Sequence, residues 1–236
     1  MKDLSTLFPL LVEDEFKLLE AMLPLEGRDI LDLGCGAGLM TGRMASEGGA
    51  RSIVGLEVDD VQLQKNLAKP WPGAVSFRRA GAEALPVDDQ SIDVVTMFKS
   101  LHHVPGGLMP AAFREMHRAL RPQGSLFISE PVYAGPFNEL VKLFHDEGAV
   151  RTEAIRATEN AVSDGLFRHE RRLIFYAPVS FQSFDEFQVK LMNPTHTALS
   201  QDPAVIERVR EAYQQHQTAT GSRFIRPMRI DLLVKA

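Results

Sequence analysis

Asp32, Gly34, Cys35, Gly36 and Gly38 fall in one run, Ile30-Leu31-Asp32-Leu33-Gly34-Cys35-Gly36-Ala37-Gly38, an apolar segment that ends in a glycine-rich turn. Glycine reaches positive φ and lets a ligand approach the main chain without a Cβ in the way. A turn of this kind at the mouth of a helix can seat a nucleoside. Further along, a second apolar run ends in Gly55-Leu56-Glu57, the place from which a carboxylate can accept hydrogen bonds from both hydroxyls of a ribose. A charged acceptor contributes about 1.5–3 kcal/mol. Glu57 would also repel a 2′-phosphate, which disfavours NADP; its alternative reading is a solvated acid at a strand end.

The glycine spacing bears on which nucleoside is bound. A dinucleotide site wants Gly-x-Gly-x-x-Gly, but the third position holds Leu39 counting from Gly34, and Thr41 counting from Gly36. The pattern is Gly-x-Gly-x-Gly, with Asp32 two residues ahead of the first glycine. A ligand that lacks phosphates and carries an amino group is better served by a nearby carboxylate than by a bare helix N-terminus. An NAD-dependent oxidoreductase stays open as the alternative, as does a binding module without turnover.

Acid–base chemistry has two adjacent candidates, His103 and His102, because an imidazole with a pKa of about 6.5 can take a proton at neutral pH. The competing role for each is a hydrogen-bonded cap or core filler. Glu130 and Tyr133 are further candidates beside the same pocket, and Cys35 is expected only to fill the turn. His145, His169 and His196 stand at no convincing metal-ligand spacing from a carboxylate or another histidine, so no metal is expected.

The elements that must position these residues follow from hydrophobic periodicity. Val12, Phe16, Leu19 and Leu23 share one face of an opening helix that stops near Pro24. Strands are expected at 29–33, 52–57, 75–78, 92–98 and 125–130, with helices at 39–47, 60–68 and 109–120 between them. Short apolar strands alternating with helices build a parallel sheet covered on both faces. Beyond Pro131 the pattern changes to a long helical stretch over 137–162, a strand at 173–177, helices over 183–192 and 203–217, and a last strand at 228–234. Seven of the 14 phenylalanines lie between Phe137 and Phe187, which points to a second core layer or to an acceptor pocket or lid.

Composition bounds the rest. With 44% hydrophobic and 24% charged residues the chain is globular, and its formal charge of -5 argues against a general attraction to nucleic acid or anionic lipid. The local basic run Arg168, Arg171, Arg172 is interrupted by Glu170 and reads as a solvated face. The single cysteine excludes an internal disulfide and suggests a reducing, cytoplasmic compartment. The apolar run Leu7 to Val12 is broken by Pro9 and followed by three acids, which fits neither a signal peptide nor a membrane span.

Taken together, these motifs resemble the class I S-adenosylmethionine (SAM)-dependent methyltransferases, in the small-molecule branch that includes quinone and sterol methyltransferases. Leu31 to Gly38 resembles the first motif and Glu57 the ribose acid, Gly81-Ala82-Glu83-Ala84-Leu85-Pro86 the adenine-side loop, and Ser91-Ile92-Asp93-Val94-Val95 the fourth strand. Leu101-His102-His103-Val104 and Leu120-Arg121-Pro122-Gln123-Gly124 complete the series. The resemblance implies SAM as cofactor and S-adenosylhomocysteine as product. It places Gly34, Gly36 and Asp32 at the methionine moiety, Cys35 and Gly38 in the same turn, Val58 and Ala82 beside the adenine, and the Lys99 main chain at the methionine end. Gly81 departs from the Asp common in the family, so an adenine amino contact falls to backbone or to Glu83. The implied fold is a Rossmann-like, doubly wound, seven-stranded mixed sheet: five parallel strands plus an antiparallel final pair, with a helical insertion after the fifth strand. One domain over 1–236 is expected, residues 1–130 binding cofactor and 131–236 supplying the acceptor or lid region and the last strands. The acceptor is a small, partly apolar or aromatic molecule, with no nucleic acid partner and no membrane span.

Overall fold

A computed structural model describes residues 10–193, 199 and 202–236. His196 lies outside the described residues, as does the start of the Leu7–Val12 run. Helix α1 (Glu15–Met22) leads into strand β1 (Asp29–Leu33), helix α2 (Leu39–Ser46), β2 (Ser52–Glu57), α3 (Asp60–Leu67), β3 (Val75–Arg79), β4 (Ile92–Phe98), α4 (Met109–Ala119) and β5 (Leu120–Pro131). Then come α5 (Pro136–Lys142), α6 (Gly148–Ser163), β6 (Phe167–Phe181), α7 (Phe184–Phe187), α8 (Pro203–Gln214), β7 (Gln217–Thr218) and β8 (Gly221–Lys235).

The sheet has eight strands in the order β3-β2-β1-β4-β5-β8-β6, with the two-residue β7 paired antiparallel to β8. Neighbouring strands from β3 through β5 are parallel. The seven expected strands are therefore joined by one short extra. Strand order reverses between β1 and β4, and ligands of open α/β sheets settle at the carboxyl ends of strands at such a switch point.

Several expected boundaries move, among them that of β5, which begins at Leu120 rather than at 125. The final strands are longer than their apolar centres, because the added part of β6 carries Arg168, His169, Glu170, Arg171 and Arg172 and so hides from a hydrophobicity count. Arg168, Glu170, Arg171 and Arg172 are exposed, in keeping with a solvated face, while some of them pair with acids. Asp231 is buried and accepts from His169 Nε2 at 3.0 Å and from Arg172 Nε at 2.7 Å, and Arg168 pairs with Glu170. Burial pushes the Asp231 carboxyl up, but the bonds from His169 and Arg172 and the Arg229 charge outweigh it and hold it low. The long helix over 137–162 is two helices, α5 and α6; just before the second, Asp146 Oδ1 accepts from Gly148 N at 3.0 Å. The last helix stops at Gln214, and Gln217 already belongs to β7.

The chain divides into two compact units. One holds Asp14–Glu130, Val150–Leu173 and Arg229–Ala236; the other holds the described residues up to Glu13, Pro131–Ala149 and Ile174–Met228. Residues 131–236 are thus shared between the units. The first has an aliphatic core that includes Leu31, Val95, Met97, Leu126 and Ile128, with Phe113 and Met116 of α4. The second is aromatic: Phe137, Phe181, Phe184, Phe187, Tyr213 and Phe224 are all buried in one cluster. Four of the seven phenylalanines between 137 and 187 are buried in this cluster and Phe144 packs against it, whereas Phe167 belongs to the aliphatic core.

Candidate active site

Parallel register brings the site together. Asp32 on β1 stands opposite Gly55 on β2 and Thr96 on β4, and Leu33 opposite Leu56, so Glu57 ends its strand beside the glycine turn. Gly34, Gly36 and Gly38 all have positive φ, at 64°, 52° and 74°. A Cβ on Gly34 would stand 2.6 Å from Ser100 Cβ, whereas one on Gly36 would meet nothing within 4 Å. The turn is therefore packed from below at Gly34 and open at Gly36. Gly38 serves as the left-handed N-cap of α2.

Glu57 is 8% exposed and already engaged. Its Oε2 accepts from Gly36 N at 2.9 Å, and its Oε1 accepts from Val58 N at 2.8 Å and Asp59 N at 2.9 Å. A carboxylate offers about four lone-pair sites. Three bonds leave it capacity for a further hydroxyl, and they tie the acid to the turn itself.

Asp32 is buried, with Thr41 Oγ1 donating to Oδ2 at 2.6 Å and Thr96 Oγ1 donating to Oδ1 at 2.8 Å. Burial raises its pKa to about 6, against the pull of the two hydroxyls and of the Lys99 charge. Asp32 thus joins β1, α2 and β4 beneath the turn and presents its charge through that layer. Cys35 is likewise pushed far above the ordinary thiol range by burial and by the charges of Asp32 and Glu57, which leaves it no thiolate at neutral pH.

At the end of β4, Lys99 adopts φ 56°, a left-handed conformation that costs a non-glycine residue about 1–3 kcal/mol and clusters at functional sites. Its N–H donates to Ser129 O at 2.7 Å, and its ammonium pairs with Glu15 Oε2 at 2.6 Å. Glu15 also accepts from the Ser129 hydroxyl. Sequence reasoning missed Glu15, which begins α1 far away in the chain; it also missed Thr41, Thr96 and Ser100, whose roles emerge only from register.

On the adenine side, Val58 is exposed and Ala82 is buried. The Glu83 carboxylate lies over Gly81, where an added Cβ would stand 2.3 Å from Oε2. Glu83 therefore occupies the space that a side chain at position 81 would need.

The two histidines differ sharply. His102 is 4% exposed and its Nδ1 contacts Glu130 Oε2, while Glu130 Oε1 accepts from Leu101 N at 2.9 Å. His103 is exposed, its ring centroid 4.1 Å from that of His102. Phe98 registers with Ser129, so Glu130 emerges one step on, at the same sheet end as the turn that carries His102. Tyr133 belongs to the other unit and donates to Asp146 Oδ1 at 2.7 Å. His145 and His169 each have a carboxylate partner, Glu147 and Asp231.

Part of the chain is similar to known methyltransferases, and the fold is shared with solved α/β structures. Residues 30–124 match the family model described as a methyltransferase domain. The chain is 28% identical over 129 residues to a ubiquinone biosynthesis O-methyltransferase of Coxiella burnetii, covering 55% of this chain and 53% of that one. It is 34% identical over 117 residues to the 27-O-demethylrifamycin SV methyltransferase of Amycolatopsis mediterranei, covering 48% and 42%. The chain spans about half the length of these curated relatives. Among solved structures, the YcgJ protein of Bacillus subtilis shares the fold with a TM-score of 0.66 and 17% identity, over 93% of this chain and 97% of that one. The [4+2]-cyclase SpnF shares it with a TM-score of 0.60 and 20% identity, over 93% and 79%.

Proposed function

We propose that the chain transfers the methyl group of SAM to a hydroxyl on a small, partly apolar or aromatic acceptor. The observation that carries the cofactor reading is the Glu57 carboxylate, buried, bonded to Gly36 N at 2.9 Å and retaining acceptor capacity beside an open glycine turn. Bound SAM supplies a methyl already activated on a sulfonium, so the protein's task is alignment with water excluded. Gly34, Gly36 and Gly38 seat the methionine end on main chain, Glu57 takes the ribose, and Val58, Ala82 and Glu83 border the adenine. Asp32 sets a negative potential under the turn from behind Thr41 and Thr96, and Lys99 presents its strained peptide at the methionine end.

Acceptor activation falls to His102. Glu130 orients the ring through Nδ1, and the imidazole takes the hydroxyl proton in the manner of a base held by a carboxylate. His103 stands beside it at the surface as the secondary candidate. The O-methyltransferase relatives support oxygen as the acceptor atom. In the same reading residues 1–236 act as one methyltransferase domain, with 1–130 binding cofactor, the remainder selecting acceptor, and the cytoplasm as compartment.

The SpnF likeness favours a second reading, a SAM-type fold turned to another reaction, since fold does not fix chemistry. Two measurements decide. S-adenosylhomocysteine at ~100 Kd adds ~2.7 kcal/mol of stability, so it should raise Tm by several degrees where NADH does not. Methyl transfer from labelled SAM to a panel of phenols and hydroquinones should then fall about 100- to 10,000-fold in kcat for His102→Ala, with SAM affinity retained. Stabilisation by NADH alone would overturn the cofactor reading, and binding of SAM without transfer to any member of the panel would favour the second one.

A further inference from the structure

We propose that Asn66 is a positioning residue for the cofactor turn, holding the Gly36 peptide by its carbonyl while Glu57 holds the same residue by its N–H. The proposal rests on Gly36 and Glu57 forming the cofactor-binding pair. Asn66 sits in α3 and is 0% exposed. Its Nδ2 donates to Gly36 O at 2.7 Å, and its Oδ1 accepts from Gln62 Nε2 at 2.9 Å, which sets the amide's orientation. Asparagine is a weak helix former on propensity alone, and Asn66 stands in the last turn of α3. A buried amide there must be justified by its bonds, and one of them ends on the central glycine of the turn.

The other face of the turn is reached from the same residue. Asn66 O accepts from the Trp71 indole N–H at 2.7 Å, and the indole lies against the start of α2: a Cβ on Gly38 would stand 2.7 Å from Trp71 Cη2, and one on Gly42 3.0 Å from Cζ3. Phe77 packs on Trp71 with ring centroids 4.9 Å apart. Asn66 thus ties both the middle of the turn and the aromatic wall behind its last glycine to one helix.

The consequence concerns binding. Ribose hydroxyls draw on the carboxylate that anchors Gly36 N, so a turn held only by Glu57 would loosen as the ligand arrived. An independent bond at the Gly36 carbonyl keeps the peptide in place while Glu57 shares its lone pairs. Without the Asn66 donor that carbonyl keeps only the long contact from the Cys35 thiol at 3.9 Å.

The test is calorimetric titration of the full chain with S-adenosylhomocysteine, for wild type, Asn66→Ala, Asn66→Asp and Glu57→Ala, alongside emission from Trp71, the chain's single tryptophan. Loss of this part-buried hydrogen bond to the turn should raise Kd about tenfold in Asn66→Ala. Asn66→Asp keeps the side chain's volume but presents an acceptor to an acceptor. Its Kd relative to wild type should rise at least tenfold at pH 8 and recover on acidification as the carboxyl gains a proton to donate. Comparison with wild type at each pH removes the shared contribution of Asp32. Ligand-induced change in Trp71 emission should shrink in both variants. Should Asn66→Ala fail to fold, the pH-dependent ratio for Asn66→Asp carries the test alone. Affinity within twofold of wild type for Asn66→Asp at pH 8, with Glu57→Ala still crippled, would make Asn66 a core filler and overturn the proposal. If Glu57→Ala also binds normally, the underlying site reading has failed.

Discussion

The two units bury different things. Between residues 32 and 130 one unit buries Asp32, Thr41, Glu57, Asn66, Thr96, Ser100, His102, Ser129 and Glu130, whereas the buried polar residues described in the other are Asn138 and Ser222. The second unit's core is a lattice of rings, such as Phe181 to Phe187 at 5.1 Å and Phe187 to Tyr213 at 5.3 Å. Burying a polar group costs free energy unless it is bonded, and a core without chemistry has no reason to incur that cost. Where polar groups are buried in a connected set, the fold gives up apolar packing to hold something in position.

That contrast can be broken most forcefully in the aromatic unit. Phe187→Ala removes a fully buried ring and should lower stability by about 3–5 kcal/mol in urea denaturation. A loss below 1 kcal/mol would mean the ring cluster is not the core it looks to be. In the polar unit the largest effect should fall on affinity. Glu57→Ala deprives three backbone N–H groups of their acceptor and, on the proposed reading, the ribose as well, so the Kd for S-adenosylhomocysteine is expected to rise about a hundredfold, in line with ~1.5–3 kcal/mol for a charged bond. Unchanged affinity would remove the acid from the site.

A pH experiment sharpens the comparison further. The Asp32 carboxyl is raised in the fold to about 6, above its unfolded value, so its contribution to stability is greatest in acid and is lost as pH rises through about 6. Asp32→Asn should therefore compare better with wild type at pH 7.5 than at pH 5, read from denaturation midpoints. A difference that does not change with pH would show that Asp32 does not titrate in this window. The smallest effect belongs to Arg51→Ala. Its partner Asp29 is held well below the usual carboxylate range, chiefly by Arg51, but the arginine is 60% exposed. A loss of about 0–1 kcal/mol is expected at neutral pH, and because a depressed carboxyl stabilises above its unfolded pKa, the loss should fade as pH falls below 4.

The sheet from β1 to β5 was legible because its strands are apolar runs between helices of clear periodicity. Its site was legible in part, since glycines at positive φ and a strand-end acid announce themselves locally. What escaped was set by register or by distance. Thr96 meets Asp32 only because β1 and β4 pair in one particular alignment, and Glu15 reaches Lys99 from α1. The two histidines looked alike in sequence, and only the position of Glu130 separates a buried, oriented ring from a surface one. The outer strands were undersized because charges extend them, and those charges find partners such as Asp231 that no hydrophobic pattern marks.

Calorimetric titration of purified wild-type chain with S-adenosylhomocysteine tests the central claim most directly. Saturable binding at one site per chain is expected, with no competing heat from NADH. A folded protein giving no heat with S-adenosylhomocysteine or SAM at millimolar concentration would contradict the assignment of the glycine turn and Glu57 to a single nucleoside.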